Sequence, residues 1–273
     1  MTRTELLGCP LDVVDMEDAL DRCERAIAER SYLQHMSINA AKMVALQDDP
    51  ELRQMIVDCG LVTADGQSVV WAARLLGINL PERVAGIDLM QNLMARGNAS
   101  GHRIFILGAR REVLDAALAR IQAEHPRLVI AGSRDGYYDD SEAEAVCHEI
   151  RDANADILFV AMSSPRKEYF LGTRGKTLGV PFTMGVGGSV DVIAGVTRRA
   201  PTLLQWIGLE WAYRLAQEPR RLAGRYLRTN GRFVVLVLKS LLSRHANGAP
   251  GASVPAPPAA EAREAPGDRP GSA

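Results

Sequence analysis

Residues 61–77 read LVTADGQSVVWAARLLG. A short apolar lead-in, Leu61–Thr63, runs into the turn pair Asp65-Gly66, and a helical pattern begins at Gln67 and continues to Leu76. A brief apolar run that ends in a polar turn and passes straight into a helix is half of a βα unit. The same handover recurs on both sides. Gln34–Ile38 leads into a helix through Ala41–Leu46. Arg103–Leu107 leads into Glu112–Glu124, where Val113, Ala116, Ala117, Leu118 and Ile121 recur at helical spacing. Val129–Ala131 precedes Ser141–Asn154, Ile157–Ala161 precedes Lys167–Thr177, and Phe182–Val186 closes the series. Short apolar strands alternating with helices predict an α/β fold with a mainly parallel sheet.

The rest of the composition is consistent with that core. The chain has 273 residues, 47% of them hydrophobic, enough for one sizeable domain and an appendage. Cys9, Cys23, Cys59 and Cys147 are scattered without a CxxC pair, so neither a zinc site nor a disulfide framework is expected, and a reducing cytosol is the simpler setting. The N-terminal stretch MTRTELLGCPLDVV lacks the apolar core of a signal peptide, and no apolar run reaches the ~20 residues that span a bilayer.

Charge is uneven. Arg198–Arg244 holds ten Lys/Arg against two acids, a net +8 in a chain whose net charge is −1. A basic C-terminal module on an acidic body points to a negatively charged partner, for which we expect a membrane surface and no nucleic acid. Residues 1–197 are expected to form the α/β body, 198–245 a basic helical appendage, and the Pro/Ala/Gly-rich 246–273 a disordered tail.

In a parallel sheet, ligands sit beyond the carboxyl ends of the strands. The residues following each expected strand are small, polar or charged: Ser37-Ile38-Asn39, Ala64-Asp65-Gly66, Gly108-Ala109-Arg110, Ser133–Tyr137, Ser163–Glu168 and Gly185–Ser189. Taken singly, each is an ordinary turn; together they read as the rim of one cleft. "LGARREV" and "GVGGSVDVIAG" place small residues where a phosphate could meet a helix N-terminus, but GxGxxG, Walker A, HExxH, GxSxG and Asp-x-Asp are all missing.

Seven blocks in order carry a resemblance: SINAAKMV (Ser37–Val44), TADGQSVVWAARLLG (Thr63–Gly77), PERVAGIDLM (Pro81–Met90), IFILGA (Ile104–Ala109), SSPRKEYF (Ser163–Phe170), GVGGSVDVIAG (Gly185–Gly195) and the arginine-rich Arg199–Leu227. From Leu6 to Leu242 the chain resembles the WecG/TagA/CpsF family of bacterial glycosyltransferases. The resemblance implies a Rossmann-like sheet with a helical C-terminal appendage. It also implies inverting transfer of a sugar, of the N-acetylmannosamine type or glucose, from a UDP-sugar to a polyprenyl-diphosphate-linked saccharide. Such an enzyme works at the inner face of the cell membrane, without metal or cofactor, and self-associates.

Residue roles follow from the same resemblance. Inversion needs a base for the acceptor hydroxyl, and the resemblance assigns it to Asp65; the competing reading makes Asp65 a cap for the following helix or an Asp-Gly turn. Ser37, Asn39, Arg83, Lys167 and Glu168 are expected at the substrates, with Arg214, Arg221 and Arg225 reaching in from the appendage. Gly108, Asp135, Gly136, Tyr137, Gly187, Gly188 and Asp191 are expected at the nucleotide. For Asp191 a helix N-terminal charge, and for the glycines tight turns, are the plainer readings. Lys167 departs from the Gln common in relatives: either it faces the sugar and alters donor choice, or it is surface charge at a helix start. Two other classes compete: an NAD(P)-dependent oxidoreductase on a similar sheet, which lacks its glycine fingerprint here, and a non-catalytic, membrane-docked binder of saccharide lipids.

Overall fold

The computed structural model describes residues 2–206, 208–217 and 219–247. An antiparallel hairpin, β1 (Arg3–Leu6) and β2 (Cys9–Asp12), comes first. Its turn residues Leu7 and Gly8 both have positive φ, 54° and 77°, the left-handed backbone region whose turn matches the right-handed twist of the flanking strands. Helix α1 (Met16–Ala28) then opens on a capping box between Asp15 and Asp18.

The sheet is built from β3 (Leu33–Ile38), β4 (Leu61–Ala64), β5 (Arg103–Gly108), β6 (Val129–Arg134), β7 (Ile157–Ala161) and β8 (Phe182–Gly185), in the order β4-β3-β8-β7-β5-β6, with every adjacent pair parallel. Helices α2 (Ala40–Asp48) and α3 (Pro50–Val57) connect β3 to β4, and α4 (Gln67–Leu75) and α5 (Gly86–Ser100) connect β4 to β5. Helices α6 (Arg111–Glu124), α7 (Ala143–Asp152) and α8 (Arg166–Arg174) make the later crossovers, and α9 (Ser189–Ile193) follows β8. The α/β, Rossmann-like expectation holds. The predicted strands and helices recur with ends moved by a few residues, and the stretch read as Ser141–Asn154 starts with one tight turn before α7.

Two apolar layers sandwich the sheet. On one side α1, α5 and α6 cover Ile104, Ile106, Phe159 and Phe182. On the other, Phe105, Leu158 and Val160 pack under α7 and α8, while Met36, Ile38 and Val62 pack under α2, α3 and α4. Strand β4 is a sheet edge, and the hairpin blunts it: the Asp12 carboxylate accepts the Val62 N–H at 2.7 Å and is held by Arg3 at 2.9 Å.

The C-terminal region is helical: α10 (Thr202–Trp206), α11 (Glu210–Gln217) and α12 (Pro219–Asn247). Helix α12 lies on α2, and its Phe233 and Val237 are buried in the body's own core beside Met43 and Val44. Its other side is open, with Leu227, Val234, Leu238 and Leu242 exposed. Among the described residues no helix is long and apolar enough to cross a membrane. All but two residues of the expected disordered tail (246–273) lie outside the described residues.

Candidate active site

Strand polarity sets the location. Strand β5 leads toward one edge of the sheet, to β6, whereas its neighbour β7 leads the other way, to β8. A crevice must open above the carboxyl ends of β5 and β7. Its floor is tight: Ala109 N–H donates to the Ala161 carbonyl at 3.0 Å, and Gly136 N–H to the Ala109 carbonyl at 3.0 Å. Gly108 has φ +130°, and a Cβ there would lie 2.4 Å from the Ala161 carbonyl carbon, so only glycine fits. An open cleft of about 420 Å³ extends from this point, lined by Arg110, Arg111, Glu112, Asp135 and Tyr137. Asp135 accepts the Tyr137 N–H at 3.0 Å, and the Arg110 guanidinium stands 6.0 Å from the Tyr137 ring. Arg166 braces the loop from the α8 side, donating to the Gly136 carbonyl at 2.9 Å and lying over Tyr138.

At the other end of the same rim, Asp65 follows β4. Its N–H donates to the Ile38 carbonyl at 2.8 Å. It does not cap α4: the cap position is Gly66, with no side-chain bond. Instead its carboxylate faces Gly86, the first residue of α5, where the helix dipole favours an anion. A Cβ on Gly86 would lie 3.3 Å from Ser37 Oγ and 3.9 Å from Asp65 Oδ2, so these three residues border one point. Burial raises the Asp65 pKa above the usual carboxylate range; Lys42 and Arg83 work against the rise, and Glu210 adds to it. A carboxylate tuned upward in this way is suited to take a proton.

Between the two ends lies a buried charge cluster. Lys42 Nζ donates to the Ser37 carbonyl at 2.7 Å and pairs with Glu168 Oε1 at 3.0 Å. Lys167 Nζ pairs with the same oxygen at 2.9 Å and bonds Ser164 Oγ. Burial opposes the Glu168 charge, but the two ammonium groups outweigh it and hold the pKa down to about 2. Lys167 is only 8% exposed, so it is not surface charge. Its stem crosses the glycine loop: a Cβ on Gly185 would lie 2.9 Å from Lys167 Cδ, and one on Gly187 3.8 Å from Nζ.

Arg83 is half-buried and joins body to appendage. It pairs with Glu210 of α11 at 3.0 Å and approaches Asp88 at 3.8 Å, while Arg199 forks onto Asp88 at 2.5 and 2.8 Å.

With this rim in place, the family match can be read. The chain matches the Glycosyl transferase WecG/TagA/CpsF family over residues 4–247. It belongs to that family. The protein is thus a glycosyltransferase of a class acting in cell-surface polysaccharide synthesis, which sets the oxidoreductase and non-catalytic readings aside.

In this glycosyltransferase, Ser37, Asp65 and Arg83 gather at the β3–β4 end, with Lys167 and Glu168 beside them through Lys42. Asn39 is exposed, its Cβ close to Gly66; its Oδ1 caps α2 by accepting the Lys42 N–H at 3.1 Å. Gly108, Asp135, Gly136 and Tyr137 gather at the β5–β6 end. Gly187 and Gly188 lie between, with the Asp191 carboxylate 3.6 Å from the place a Gly188 Cβ would take. From β4 to β6 the rim spans five strand spacings, or roughly 24 Å. The side chains of Arg214, Arg221 and Arg225, expected at the substrates, lie outside the described residues. Lys42, Arg110, Arg199 and Glu210 were not singled out as site residues from the sequence. Only Arg110 had a local signal, in "LGARREV" after a strand.

Proposed function

We propose that the enzyme transfers a sugar from a UDP-sugar to a polyprenyl-diphosphate-linked saccharide, with inversion at the anomeric carbon and without a metal. The acceptor hydroxyl oxygen attacks that carbon, its proton passes to Asp65, and the bond to the diphosphate breaks with its electron pair leaving on UDP. The observation that carries this reading is Asp65 itself: a half-buried carboxylate at a strand end, facing the N-terminus of α5, with its pKa raised by burial.

The extended rim supports a layout for the donor. Uracil and ribose would take the cleft of Tyr137, Asp135 and Arg110, and the sugar would take the end of Ser37 and Asp65. The diphosphate between them would be offset by Arg83 and by arginines of the appendage. The exposed apolar side of α12, with Arg228, Arg232 and Lys239 exposed along the same helix, supports peripheral work on the anionic inner face of the membrane. A screen of UDP-sugars for UDP release by the purified full chain, repeated with Asp65→Asn and in excess EDTA, tests the proposal. Turnover of one donor, retained in EDTA and lost by a factor of roughly 10² or more in Asp65→Asn, is the expected result. Near-normal turnover in Asp65→Asn would overturn the assignment, and complete loss in EDTA restored by manganese would overturn its metal-free form.

A further inference from the structure

We infer that Lys167 binds an anionic oxygen group of the donor, at an opening beside Gly187 where a buried cluster holds one positive charge more than it needs. The inference rests on the rim being the UDP-sugar site.

The cluster is not neutral. None of Lys42, Lys167 and Glu168 is more than 8% exposed, and among the described residues neither lysine pairs with any acid but Glu168. Two cations thus face one anion, away from the water that would stabilise the surplus. The surplus belongs to Lys167. Lys42 Nζ directs its three hydrogens to the Ser37 carbonyl at 2.7 Å, Glu168 Oε1 at 3.0 Å and Met36 Sδ at 3.4 Å. Glu168 Oε1 also accepts from Ser164 Oγ at 2.9 Å, so Lys42 and Ser164 already satisfy that oxygen. Lys167 Nζ is a third donor to it, at 2.9 Å, and also bonds Ser164 Oγ. Its remaining hydrogen has no acceptor among the described residues. Lys167 lies, moreover, in the first turn of α8, where the helix dipole disfavours a cation.

The surroundings of the ammonium show what it faces. A Cβ on Gly187 would lie 3.8 Å from Lys167 Nζ and 3.8 Å from the Met162 carbonyl oxygen. Gly187 has φ +52° and no side chain, so it leaves the space before Nζ open. Ser164, which shares the ammonium, is exposed, and so is Gly188. The cation therefore sits just beneath the rim, between the tips of β7 and β8. Asp191 borders the opening on the Gly188 side, its carboxylate 3.6 Å from the place of a Gly188 Cβ. Burial and Lys42 together lower the Lys167 pKa, and Glu168 opposes them only in part, as for an ammonium short of negative charge. A UDP-sugar can supply that charge from two sources: its diphosphate or, on a hexuronate, the sugar carboxylate. Both offer anionic oxygens that a lysine binds more strongly than neutral hydroxyls.

The experiment is calorimetric titration of the full chain with uridine, UDP, UDP-glucose and UDP-glucuronate. Wild type, Lys167→Gln and Lys167→Met are compared, and Tm is measured in parallel. Removing Lys167 leaves the Lys42–Glu168 pair neutral, so Tm should hold or rise. Affinity for uridine should stay the same, while affinity for the ligand that carries the recognised anion falls roughly tenfold or more. An equal fall for UDP and both UDP-sugars identifies the diphosphate; a fall for UDP-glucuronate alone identifies the carboxylate. Unchanged affinity for both UDP and UDP-glucuronate overturns the inference, as does an equal loss for uridine, which reports a distorted site. A Tm lowered by several degrees, or a variant that does not fold, also overturns it, because Lys167 is then a structural partner of Glu168. A wild-type protein that binds none of the four sinks the donor reading of the rim, whereas one that binds UDP equally well with and without Lys167 sinks only the role of Lys167.

Discussion

Arg83 Nη1 lies 3.0 Å from the carboxylate of Glu210, so the arginine proposed to meet the donor diphosphate is already occupied by an acid from α11. A donor that uses Arg83 must compete with Glu210. Partly exposed ion pairs contribute up to about 1 kcal/mol. Glu210→Gln should therefore lower the KM for the UDP-sugar by up to roughly fivefold. Steady-state kinetics at varied donor concentration reads this directly; a raised KM would mean that Glu210 assists binding rather than competing with it.

Tyr137 is 70% exposed, with Arg110 over its ring. Such a ring has little to pack against in the protein and is free to stack on a base. Aromatic stacking is worth about 1 kcal/mol. Calorimetric titration with UDP should show Tyr137→Ala binding roughly fivefold more weakly, with thermal stability unchanged. Equal affinity in the two proteins would remove Tyr137 from the nucleotide site.

The β5 tip is predicted to be intolerant even of a methyl group. Gly108→Ala places a Cβ 2.4 Å from the Ala161 carbonyl carbon at φ +130°, which should cost about 2 kcal/mol or more. That corresponds to a fall in Tm of roughly 4–8 °C in a domain of this size. Gly101, with φ +75° and nothing within 4 Å, is the control, since Gly101→Ala meets no neighbour. Differential scanning calorimetry of both variants decides whether close approach, rather than φ alone, makes Gly108 necessary.

Beneath the site, His35 should make stability depend on pH. Thr63 Oγ1 donates its proton to the Val84 carbonyl at 3.1 Å, so His35 Nε2, 2.9 Å away, carries the hydrogen and Nδ1 is left bare and buried. Burial, with Lys42 adding to it, lowers the His35 pKa to about 3. The unfolded chain takes up a proton near pH 6.5 that the native chain refuses. The contribution is therefore complete above pH 6.5 and is lost as pH falls toward 3, at about 1.4 kcal/mol per pH unit. Urea unfolding at several pH values should give a steeper acid decline for wild type than for His35→Gln; parallel declines would show that His35 is protonated in the fold.

Much of this was legible because strands buried on both faces are short, continuous and apolar, as in RIFIL and ILFVA. The residues that followed them did form a rim. The N-terminal hairpin was not anticipated: its turn is Leu7-Gly8, not the Asn-Gly or Asp-Gly that announces such a hairpin. Lys42 was missed for a different reason. A lysine inside a helix reads as solvated, and only α8, seated against α3 and β8, brings Glu168 to it. The Arg83–Glu210 pair joins residues 127 apart in the chain, a separation no local pattern spans. Sequence reasoning placed Lys167 either at the sugar or on the surface; the structure removes the surface and leaves the sugar to experiment.

Phe233 and Val237 make α12 a lid on the hydrophobic interior as well as a candidate anchor. Peeling the helix away would strip cover from α2 and re-expose two large side chains, each costing about 1.5–3 kcal/mol. A bilayer would have to repay that before gaining anything, so attachment favours a helix that stays seated and offers only its outward Leu227, Val234, Leu238 and Leu242. Deleting everything after Thr197 would thus produce a sticky, partly opened protein, whose sedimentation with lipid would report damage rather than address. Replacing the four outward residues with serine leaves the seam intact. It asks the localisation question cleanly: loss of liposome binding with unchanged Tm identifies the outward face as the anchor.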